Sequence, residues 1–215
     1  MMKYASYAQL GQDVFVCERL DWKQNGYFVE IGAGNGKLIS NTYLLEKKLN
    51  WTGLLCEANR YNCYSILDLR TAALEMQPIW KNSGKIVRYH NDIICENSGI
   101  EECFNETRED RRMKSIDELT TLSLNDALER HKCPTEIDYI SIDTEGSELD
   151  ILSTFDFEKY KVKIWSIEHN TPWRKDGEQY LQNIRNIMEP AGYTFVSNEF
   201  DSYFLDQELT KSYSP

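Results

Sequence analysis

Acidic side chains follow two apolar segments in the second half of the chain. The segment Asp143–Glu148 (D-T-E-G-S-E) comes directly after the run Tyr139–Ile142, and Glu168–Asn170 (E-H-N) follows the run Val162–Ile167. Carboxylates in such positions can take a proton from a hydroxyl group or hold a divalent cation beside it. The two segments therefore predict acid–base chemistry, with or without a metal ion.

The side chains of these segments divide into candidate metal ligands and candidate bases. Asp143, Glu168 and Asn170 offer the oxygen atoms that Mg²⁺ and Mn²⁺ prefer. Asp143 is also a candidate catalytic residue, together with His169 and Glu145. His169 is the first candidate for the general base because its imidazole titrates nearest to neutral pH, and Glu145 is the second. Other roles stay open: a core or metal-bound imidazole for His169, a helix-start acid for Glu145, and a site without metal.

A second candidate site lies near the N-terminus, where three alternate glycines follow a buried strand. Gly32, Gly34 and Gly36 come directly after Tyr27–Ile31. Glycine allows positive φ angles and lets a ligand approach the backbone closely. A loop at the carboxyl end of a strand is also where open α/β sheets bind their ligands. The alternative is a glycine-rich turn that binds nothing.

The residues around these glycines exclude the common phosphate-binding loops. The dinucleotide fingerprint G-x-G-x-x-G fails because Lys37 or Ile39 stands where its last glycine belongs, and the G-K-S/T motif fails at Leu38. Glu30, just before the first glycine, would repel a pyrophosphate. The loop therefore suits a ligand that carries cationic groups.

An acid at the end of the next predicted strand completes this pattern. Glu57 follows Gly53–Cys56 and lies 21 residues after Gly36 (57 − 36), a place from which a carboxylate accepts hydrogen bonds from a ribose diol. A glycine loop with a ribose acid and without a phosphate cradle points to S-adenosylmethionine. A nicotinamide dinucleotide is the weaker fit.

These residues need a scaffold in which strands and helices alternate. The predicted strands are Tyr27–Ile31, Gly53–Glu57, Lys85–His90, Asp138–Asp143, Val162–Glu168 and Tyr193–Ser197. Helical patterns cover Thr42–Leu49, residues 67–76 and Tyr180–Met188. Such alternation predicts a mainly parallel sheet with helices on both faces, and it brings the glycine loop and the acidic segments to one edge.

Composition narrows the class of protein. The chain has 215 residues and a net charge of −11, from 24 Lys plus Arg and 35 Asp plus Glu, which argues against nucleic acid as a partner. Its length predicts a single domain over residues 1–215, and no apolar run is long enough for a transmembrane helix. The start lacks a secretory signal and the six cysteines are scattered, so we expect reduced thiols and a cytoplasmic location. The oligomeric state stays open.

Two segments fall outside the alternating pattern. Residues 96–118 are polar and of mixed charge, which predicts an insertion or a lid; a solvated surface excursion without a role is the alternative. Residues 207–215 are expected to form a C-terminal tail.

Six sequence blocks stand in order along the chain. They are Q-L-G-Q-D at residues 9–13, F-V-E-I-G-A-G-N-G at 28–36, S-N-T at 40–42, W-T-G at 51–53, D-Y-I-S-I-D-T-E-G-S-E at 138–148 and I-E-H-N at 167–170. Together they resemble the FkbM family of S-adenosylmethionine-dependent methyltransferases, within the class I methyltransferase fold. The blocks span residues 9–170, and segment 96–118 has no part in the match.

The resemblance implies a fold and a set of cofactor-binding residues. The fold is α/β, a Rossmann-like three-layer sandwich whose mostly parallel seven-stranded sheet has one antiparallel strand in the hairpin formed by residues 193–197 and 202–205. Gln12, Ser40 and Asn41 are implied at the methionine end, and Asp92 or the neighbouring Asn91 at the adenine. The set of cofactor-binding residues is Gln12, Glu30, Gly32, Gly34, Ser40, Asn41, Glu57 and Asp92. A helix N-cap is the alternative for Asp92.

The acidic segments are similar to the metal site of metal-dependent small-molecule O-methyltransferases. In those enzymes an acid after the fourth strand joins an acid and an asparagine after the fifth. This chain departs from that pattern in two places. His169 separates Glu168 from Asn170, and Gly146 stands where a lysine is expected, three residues beyond Asp143.

From the resemblance we expect an S-adenosylmethionine-dependent O-methyltransferase that acts on a hydroxyl of a sugar, a glycan or a small molecule. Trp173 is a candidate wall of the acceptor pocket. Two other functions stay open. One is a metal-dependent nucleotide-sugar glycosyltransferase, with Asp143–Glu145 as its D-x-E motif, although Glu30 disfavours a diphosphate donor. The other is a methyltransferase-like binding module, although the acids at the strand ends are retained.

Overall fold

Strands and helices alternate along the chain, as the sequence predicts. The structure, a computed structural model, describes residues 4–92, 97–104, 113–197 and 200–211. Its helices are α1 (Gln12–Arg19), α2 (Tyr43–Leu49), α3 (Arg60–Leu69), α4 (Leu124–Arg130), α5 (Glu148–Leu152), α6 (Gly177–Met188) and α7 (Gln207–Lys211). Its strands are β1 (Tyr27–Ile31), β2 (Thr52–Cys56), β3 (Ala73–Glu75), β4 (Ile79–Trp80), β5 (Ile86–Asp92), β6 (Gly99–Ile100), β7 (Met113–Thr120), β8 (Leu122–Ser123), β9 (Glu136–Ile142), β10 (Lys161–Glu168), β11 (Tyr193–Ser197) and β12 (Asp201–Asp206).

A seven-stranded sheet forms the centre of the fold, in the order β11-β12-β10-β9-β1-β2-β3. Its strands run parallel except β12, which is antiparallel to both β10 and β11. The predicted α/β fold with a mostly parallel seven-stranded sheet and one antiparallel strand is confirmed. The strand order changes direction between β1 and β9, and the carboxyl ends of parallel strands leave a crevice at such a switch point.

Helices cover both faces of this sheet. Helices α1, α2 and α3 pack on one face, around Phe28, Leu55 and Tyr139. Helices α4, α5 and α6 pack on the other face, around Val29 and Trp165. Neighbouring residues of a strand point to opposite faces, and a sheet that is covered twice therefore has continuously apolar strands. This explains the unbroken apolar runs in the sequence and gives the expected three-layer sandwich.

The third strand of the central sheet is not the one that the sequence pattern predicts. The helical pattern over residues 67–76 is wrong beyond Leu69, where α3 ends and Arg70 adopts an extended backbone; β3 then pairs with β2. The predicted strand Lys85–His90 does form β5, but β5 pairs antiparallel with β6 and β7 in a separate three-stranded sheet. The sequence pattern does not reveal β3 because its three residues are too few to show the alternation of a strand.

Segment 96–118 contributes strands to this second sheet. It includes β6 and most of β7, and it contacts the turn after β9, because a Cβ on Gly146 would lie 2.2 Å from the backbone oxygen of Cys103. Residues 96 and 105–112 lie outside the described residues, and the role of the segment as an insertion or lid stays a prediction. In the expected tail, residues 207–211 form α7, and residues 212–215 lie outside the described residues.

Neither a membrane span nor a disulfide occurs in the described ranges. The longest helix there, α6, has 12 residues, and none of the helices has the length and hydropathy to cross a bilayer. The cysteines within these ranges are free thiols: Cys17, Cys56, Cys63, Cys103 and Cys133. Cys95 lies outside the described residues.

Candidate active site

A cavity of about 760 Å³ opens where β1, β2, β9 and β10 end. It lies at the switch point between β1 and β9, the expected position for a ligand in an open α/β sheet. Its volume falls within the range of small-molecule and cofactor sites. Most of the predicted site residues line it, namely Glu30, Gly32, Gly34, Ser40, Asn41, Glu57, Asp143, Glu145, Glu168 and Asn170.

The glycine loop is shaped by the close approach of two strand ends. Gly32 has a φ of 85°, and a Cβ there would lie 1.7 Å from the backbone oxygen of Asp143. The backbone N–H groups of Gly32 and Ala33 donate to the Cys56 carbonyl oxygen at 2.9 and 3.2 Å, which ties the loop to the end of β2. A larger residue at position 32 would force the ends of β1 and β9 apart.

Glu30 is enclosed by the turn that leads into α2. The Ser40 hydroxyl donates to both of its carboxylate oxygens (3.1 and 3.0 Å), the Thr42 hydroxyl donates to Oε2 (2.5 Å), and the Asn41 backbone N–H donates to Oε1 (2.6 Å). Burial raises the pKa of Glu30, and the nearby Arg70 guanidinium and these donors oppose that rise. Glu30 therefore holds the turn of residues 40–42 by accepting its hydrogen bonds. The sequence analysis considered only its negative charge.

Asn41 lines the cavity and has a buried acceptor that is not used within the protein. Its side-chain Nδ2 donates to the Ser141 hydroxyl at 2.8 Å, whereas its buried Oδ1 has no hydrogen-bond partner among the described residues. Asn41 is 6% exposed and lines the cavity. A buried polar atom without a partner is costly, so a ligand that donates a hydrogen bond there is favoured.

Glu57 lies at the end of β2, where the sequence predicts a ribose acid. Its Oε1 accepts a hydrogen bond from the Asn59 backbone N–H at 2.7 Å. Burial raises its pKa to about 7, against opposing hydrogen bonds from Asn59, Gly34 and Asn62. Near neutral pH this carboxylate therefore changes between an acceptor-only anion and a neutral acid.

Three carboxylates meet at the other side of the cavity. Asp143 and Glu145 come from the end of β9, Glu168 comes from the end of β10, and their oxygen atoms lie within 4.8 Å of one another. Burial, followed by the repulsion of neighbouring acids, raises the pKa of both Asp143 and Glu168 well above their ordinary values. Like charges this close need either a shared proton or a cation.

The chemistry of this carboxylate group fits a hard divalent cation. Carboxylate oxygens are the ligands that Mg²⁺ and Mn²⁺ prefer, and Asp143, Glu145 and Glu168 converge closely enough to share one ion. The predicted metal ligands Asp143 and Glu168 are thus brought together, with Glu145 as their close neighbour. The third predicted ligand, Asn170, lines the same cavity.

Glu148 holds the turn that carries Glu145. Its Oε1 accepts hydrogen bonds from the Thr144 backbone N–H (2.9 Å), the Thr144 hydroxyl (2.8 Å) and the Gly146 backbone N–H (3.0 Å). The Tyr180 hydroxyl donates to its other oxygen at 2.7 Å. The turn places Glu145 at a φ of 63°, a left-handed conformation that this network maintains.

His169, the first candidate for the base, does not line the cavity. The residue is 2% exposed, and its Nδ1 accepts a hydrogen bond from the Thr171 backbone N–H at 3.2 Å and is paired with the Thr171 hydroxyl at 2.7 Å. Glu168 and Asn170, on either side of it, do line the cavity. Neighbouring residues of a strand point to opposite sides, which separates His169 from Glu168 at the end of β10. Asn170 has a φ of 49°, and the chain turns there.

Gln12 and Asp92, two of the predicted cofactor-binding residues, also lie away from the cavity lining. Gln12 is buried; its Oε1 accepts from the Leu10 backbone N–H at 2.9 Å, and its Nε2 donates to Asp201. Asp92 ends β5, outside the central sheet, and its backbone N–H donates to the Ser98 hydroxyl at 3.0 Å. Other residues of this second sheet, Tyr89 of β5 and Gly99 of β6, do line the cavity.

Asp201 is a site residue that the sequence interpretation missed. It begins β12 and is paired in register with Glu168, so it lines the cavity beside the carboxylate group. Burial raises its pKa, and the hydrogen bond from Gln12 opposes that rise. An antiparallel strand starts where its parallel neighbour ends, and this rule is the signal that points to an acid at the start of β12.

Further parts of the lining lie outside the predicted catalytic, metal-binding and cofactor-binding residues. Gln77, Pro78 and Ile79 follow β3 and line the side of the cavity beyond Glu57 in the strand order. The sequence does not indicate their position because residues 67–76, which include β3, have a helix-like pattern. Trp173, named as a candidate wall, stacks on the Phe200 ring with 6.3 Å between centroids and an interplanar angle of 16°, and both rings line the cavity.

Comparison with known proteins identifies related sequences and folds. The family model for the methyltransferase FkbM domain matches residues 30–195, which is more than half of the chain. The curated proteins contain no match to the chain.

Solved structures with a similar fold share little sequence. Precorrin-6y C5,15-methyltransferase from Geobacter metallireducens GS-15 is 11% identical, with 90% of this chain and 85% of that chain covered and a TM-score of 0.49. A human methyltransferase 10 domain containing protein is 14% identical, with coverage of 91% and 79% and a TM-score of 0.47. The N-terminal domain of human METTL16 in complex with SAH is 14% identical, with coverage of 94% and 70% and a TM-score of 0.47.

Proposed function

Because the chain belongs to the FkbM methyltransferase domain family and is an S-adenosylmethionine-dependent methyltransferase, we propose that it methylates a hydroxyl oxygen of a sugar, a glycan or a small molecule. The observation that carries this proposal is the carboxylate group of Asp143, Glu145 and Glu168, which lines the same cavity as the glycine loop. A hydroxyl acceptor must lose its proton during methyl transfer, and carboxylates beside it supply that function.

The glycine loop, Asn41 and Glu57 are the residues that we assign to the cofactor. The Glu57 carboxylate would accept hydrogen bonds from the ribose diol, and Asn41 Oδ1 would accept one from the ammonium group. Gly32 allows the ends of β1 and β9 to lie close together beneath the ligand. When bound, S-adenosylmethionine supplies an electrophilic methyl group on a sulfonium centre.

Glu145 is the residue that we propose as the base. It lines the cavity, and the hydrogen bonds of Glu148 hold its turn in place, whereas His169 is buried away from the lining. Asp143 and Glu168 would orient the acceptor hydroxyl, alone or as ligands of a divalent cation together with Asn170. When bound, such an ion supplies Lewis-acid stabilisation of the developing alkoxide.

The aromatic pair Trp173 and Phe200 supports a sugar or another ring-bearing acceptor. Trp173 is 65% exposed although it is a large apolar side chain, and it is stacked on Phe200 at the cavity. An aromatic face packs against the apolar face of a ring, while the nearby carboxylates accept hydrogen bonds from its hydroxyl groups. We place the acceptor between these two features.

The alternative functions are less well supported. The family match is to methyltransferases, which disfavours a nucleotide-sugar glycosyltransferase. A binding module without activity is disfavoured because four acids line one cavity, an arrangement of like charges that costs stability: Asp143, Glu145, Glu168 and Asp201. The net charge of −11 supports the expectation of a protein without a nucleic-acid partner, and a cytoplasmic location remains part of the proposal.

Transfer of a ¹³C-labelled methyl group to rhamnose, xylose and fucose glycosides tests the proposal. The expected product is a methyl ether, identified by NMR, whose formation is lost in Glu145→Gln and retained in Glu178→Gln, an exposed acid on α6 that serves as the matched control. Methyl transfer to nitrogen or carbon acceptors in place of hydroxyl groups would contradict the assignment to oxygen.

The metal part of the proposal has its own test. Dialysis against a chelator is expected to abolish turnover, and Mn²⁺ or Mg²⁺ is expected to restore it, while Asp143→Asn should weaken Mn²⁺ binding measured by electron paramagnetic resonance. Turnover that is insensitive to the chelator would contradict the metal part of the proposal, and Glu145 would then act as the base without a metal ion.

A further inference from the structure

Arg70 is a fully buried cation beneath the glycine loop, and none of the roles described above uses it. Its side chain is 0% exposed. Nε donates to Glu46 Oε2 at 2.7 Å, and Nη1 donates to the backbone oxygen of Gly36, the last residue of the glycine loop, at 2.8 Å. A buried guanidinium with this many partners is held in a single orientation, because the fork geometry of its donors is rigid.

The other donors of Arg70 reach the turn that encloses Glu30. Nη1 donates to the Ser40 hydroxyl at 3.2 Å, and Nη2 donates to the Thr42 hydroxyl at 2.8 Å. A hydroxyl group has one proton, so a hydroxyl that accepts from Arg70 turns its own proton to another acceptor. For Ser40 and Thr42 that acceptor is the Glu30 carboxylate, whose Oε2 lies 3.7 Å from Arg70 Nη1.

This relay determines where Asn41 lies. The Glu30 carboxylate, fixed by the two hydroxyl groups, accepts the Asn41 backbone N–H at 2.6 Å and so holds the residue between them. The side chain of Asn41 is anchored on Ser141, and its Oδ1 is left as a buried acceptor in the cavity wall. Arg70 thereby fixes Asn41, which lines the cavity, whereas its other partner, Gly36, does not line the cavity.

We propose that Arg70 is a positioning residue for the amino-acid end of S-adenosylmethionine, acting through Ser40, Thr42 and Glu30 to present Asn41 Oδ1 to the ammonium group. This inference rests on the assignment of Asn41 to the methionine end in the proposed function. Arg70 does not contact the ligand itself. Its effect is therefore selective for ligands that carry the amino-acid group.

Two ligands separate this role from a general structural one. S-adenosylhomocysteine carries adenosine and the amino-acid group, whereas 5′-methylthioadenosine carries adenosine without it. In Arg70→Met, we expect calorimetry to show about a tenfold or larger loss of S-adenosylhomocysteine affinity, the size that loss of a charge-assisted hydrogen bond gives, with 5′-methylthioadenosine affinity unchanged. Arg185→Met, in which a partly exposed arginine of α6 loses its pair with Glu189, is the matched control and should bind both ligands normally.

Equal losses for the two ligands, or no loss for either, would overturn the positioning role. Absence of S-adenosylhomocysteine binding to the wild-type protein would instead refute the cofactor assignment, so the two failures are distinguishable. Should Arg70→Met not fold, Thr42→Val removes one link of the relay at a fully buried site with little change in shape. It must then show the same selective loss, and an unselective result or no effect overturns the proposal.

Discussion

Acidification from about pH 8 to about pH 6 is expected to weaken the binding of S-adenosylhomocysteine by about tenfold, because it protonates Glu57. In the proposed complex this carboxylate accepts hydrogen bonds from both ribose hydroxyls, and its neutral form loses acceptor capacity. Glu57 is buried at the end of β2, and burial raises its pKa to about 7.

The size of the effect follows from that pKa. With a value of about 7, roughly nine-tenths of Glu57 is ionised at pH 8 and roughly one-tenth at pH 6, so the apparent affinity falls by about a factor of ten. A carboxyl with an ordinary pKa would change the affinity by a few per cent over the same interval. Burial of Glu57 is thus the property that the measurement detects.

Isothermal titration calorimetry on the wild-type protein and on Glu57→Gln measures this dependence. The Gln variant is expected to bind about tenfold more weakly at pH 8, through loss of a charged acceptor, and to lack the decline that Glu57 causes on acidification. Titration with 5′-methylthioadenosine, which retains the ribose, should reproduce the difference between the two proteins. This excludes an origin in the recognition of the amino-acid group, which 5′-methylthioadenosine lacks.

Stability without ligand should change in the opposite direction. Folded Glu57, with a pKa of about 7, holds a proton that the unfolded chain has released, so protonation favours the folded state. Relative to Glu57→Gln, the wild-type protein should gain stability as the pH falls from about 7 to about 4.5.

Identical pH profiles of ligand affinity in the two proteins would refute the assignment of Glu57 to the ribose.

Three substitutions test other parts of the site. Gly32→Ala places a Cβ 1.7 Å from the Asp143 backbone oxygen and should lower the free energy of unfolding by about 3 kcal/mol or more, measured by urea denaturation. Glu148→Gln weakens the network that holds Glu145 and should reduce kcat about tenfold with little change in cofactor affinity, measured by steady-state kinetics. Trp173→Ala removes the exposed ring beside the cavity and should raise KM for a glycoside acceptor about tenfold without affecting S-adenosylhomocysteine binding. A global loss of folding in the last two variants would contradict these assignments.

Local sequence signals were sufficient for the part of the site that follows parallel strands. Gly32 directly follows the run Tyr27–Ile31, and Glu57 directly follows the run Gly53–Cys56. Each of these site residues therefore stands next to a clearly predicted strand. The same holds for Asp143 at the end of β9. Parallel strands bring their carboxyl ends to one edge, which makes the position of these residues predictable from order alone.

Residues that depend on pairing between distant segments were not predictable in this way. Asp201 reaches the cavity because β12 runs antiparallel to β10 and starts opposite Glu168, so its place follows from the pairing of two strands and not from its own neighbours in the sequence. Gln12 contributes through Asp201, more than a hundred residues away in the chain. Asp92 ends β5, which pairs with β7 outside the central sheet, and it does not line the cavity although Tyr89 of the same strand does.

The position of His169 follows from a rule that local reasoning could have applied. Glu168 ends β10 and lines the cavity, and the residue that follows it points to the opposite side. The titration behaviour of histidine favoured it as a base, but geometry takes precedence over pKa in the choice of a catalytic group. Glu145 meets the geometric requirement because its turn is held by Glu148.

The most direct test of the central claim is a crystal structure of the protein with S-adenosylhomocysteine. We predict that the ribose hydroxyls lie within hydrogen-bond distance of Glu57, that the ammonium group lies on Asn41 Oδ1, and that the sulfur faces the carboxylates of Asp143, Glu145 and Glu168. A ligand bound in the reverse direction, or outside the cavity, would contradict the account.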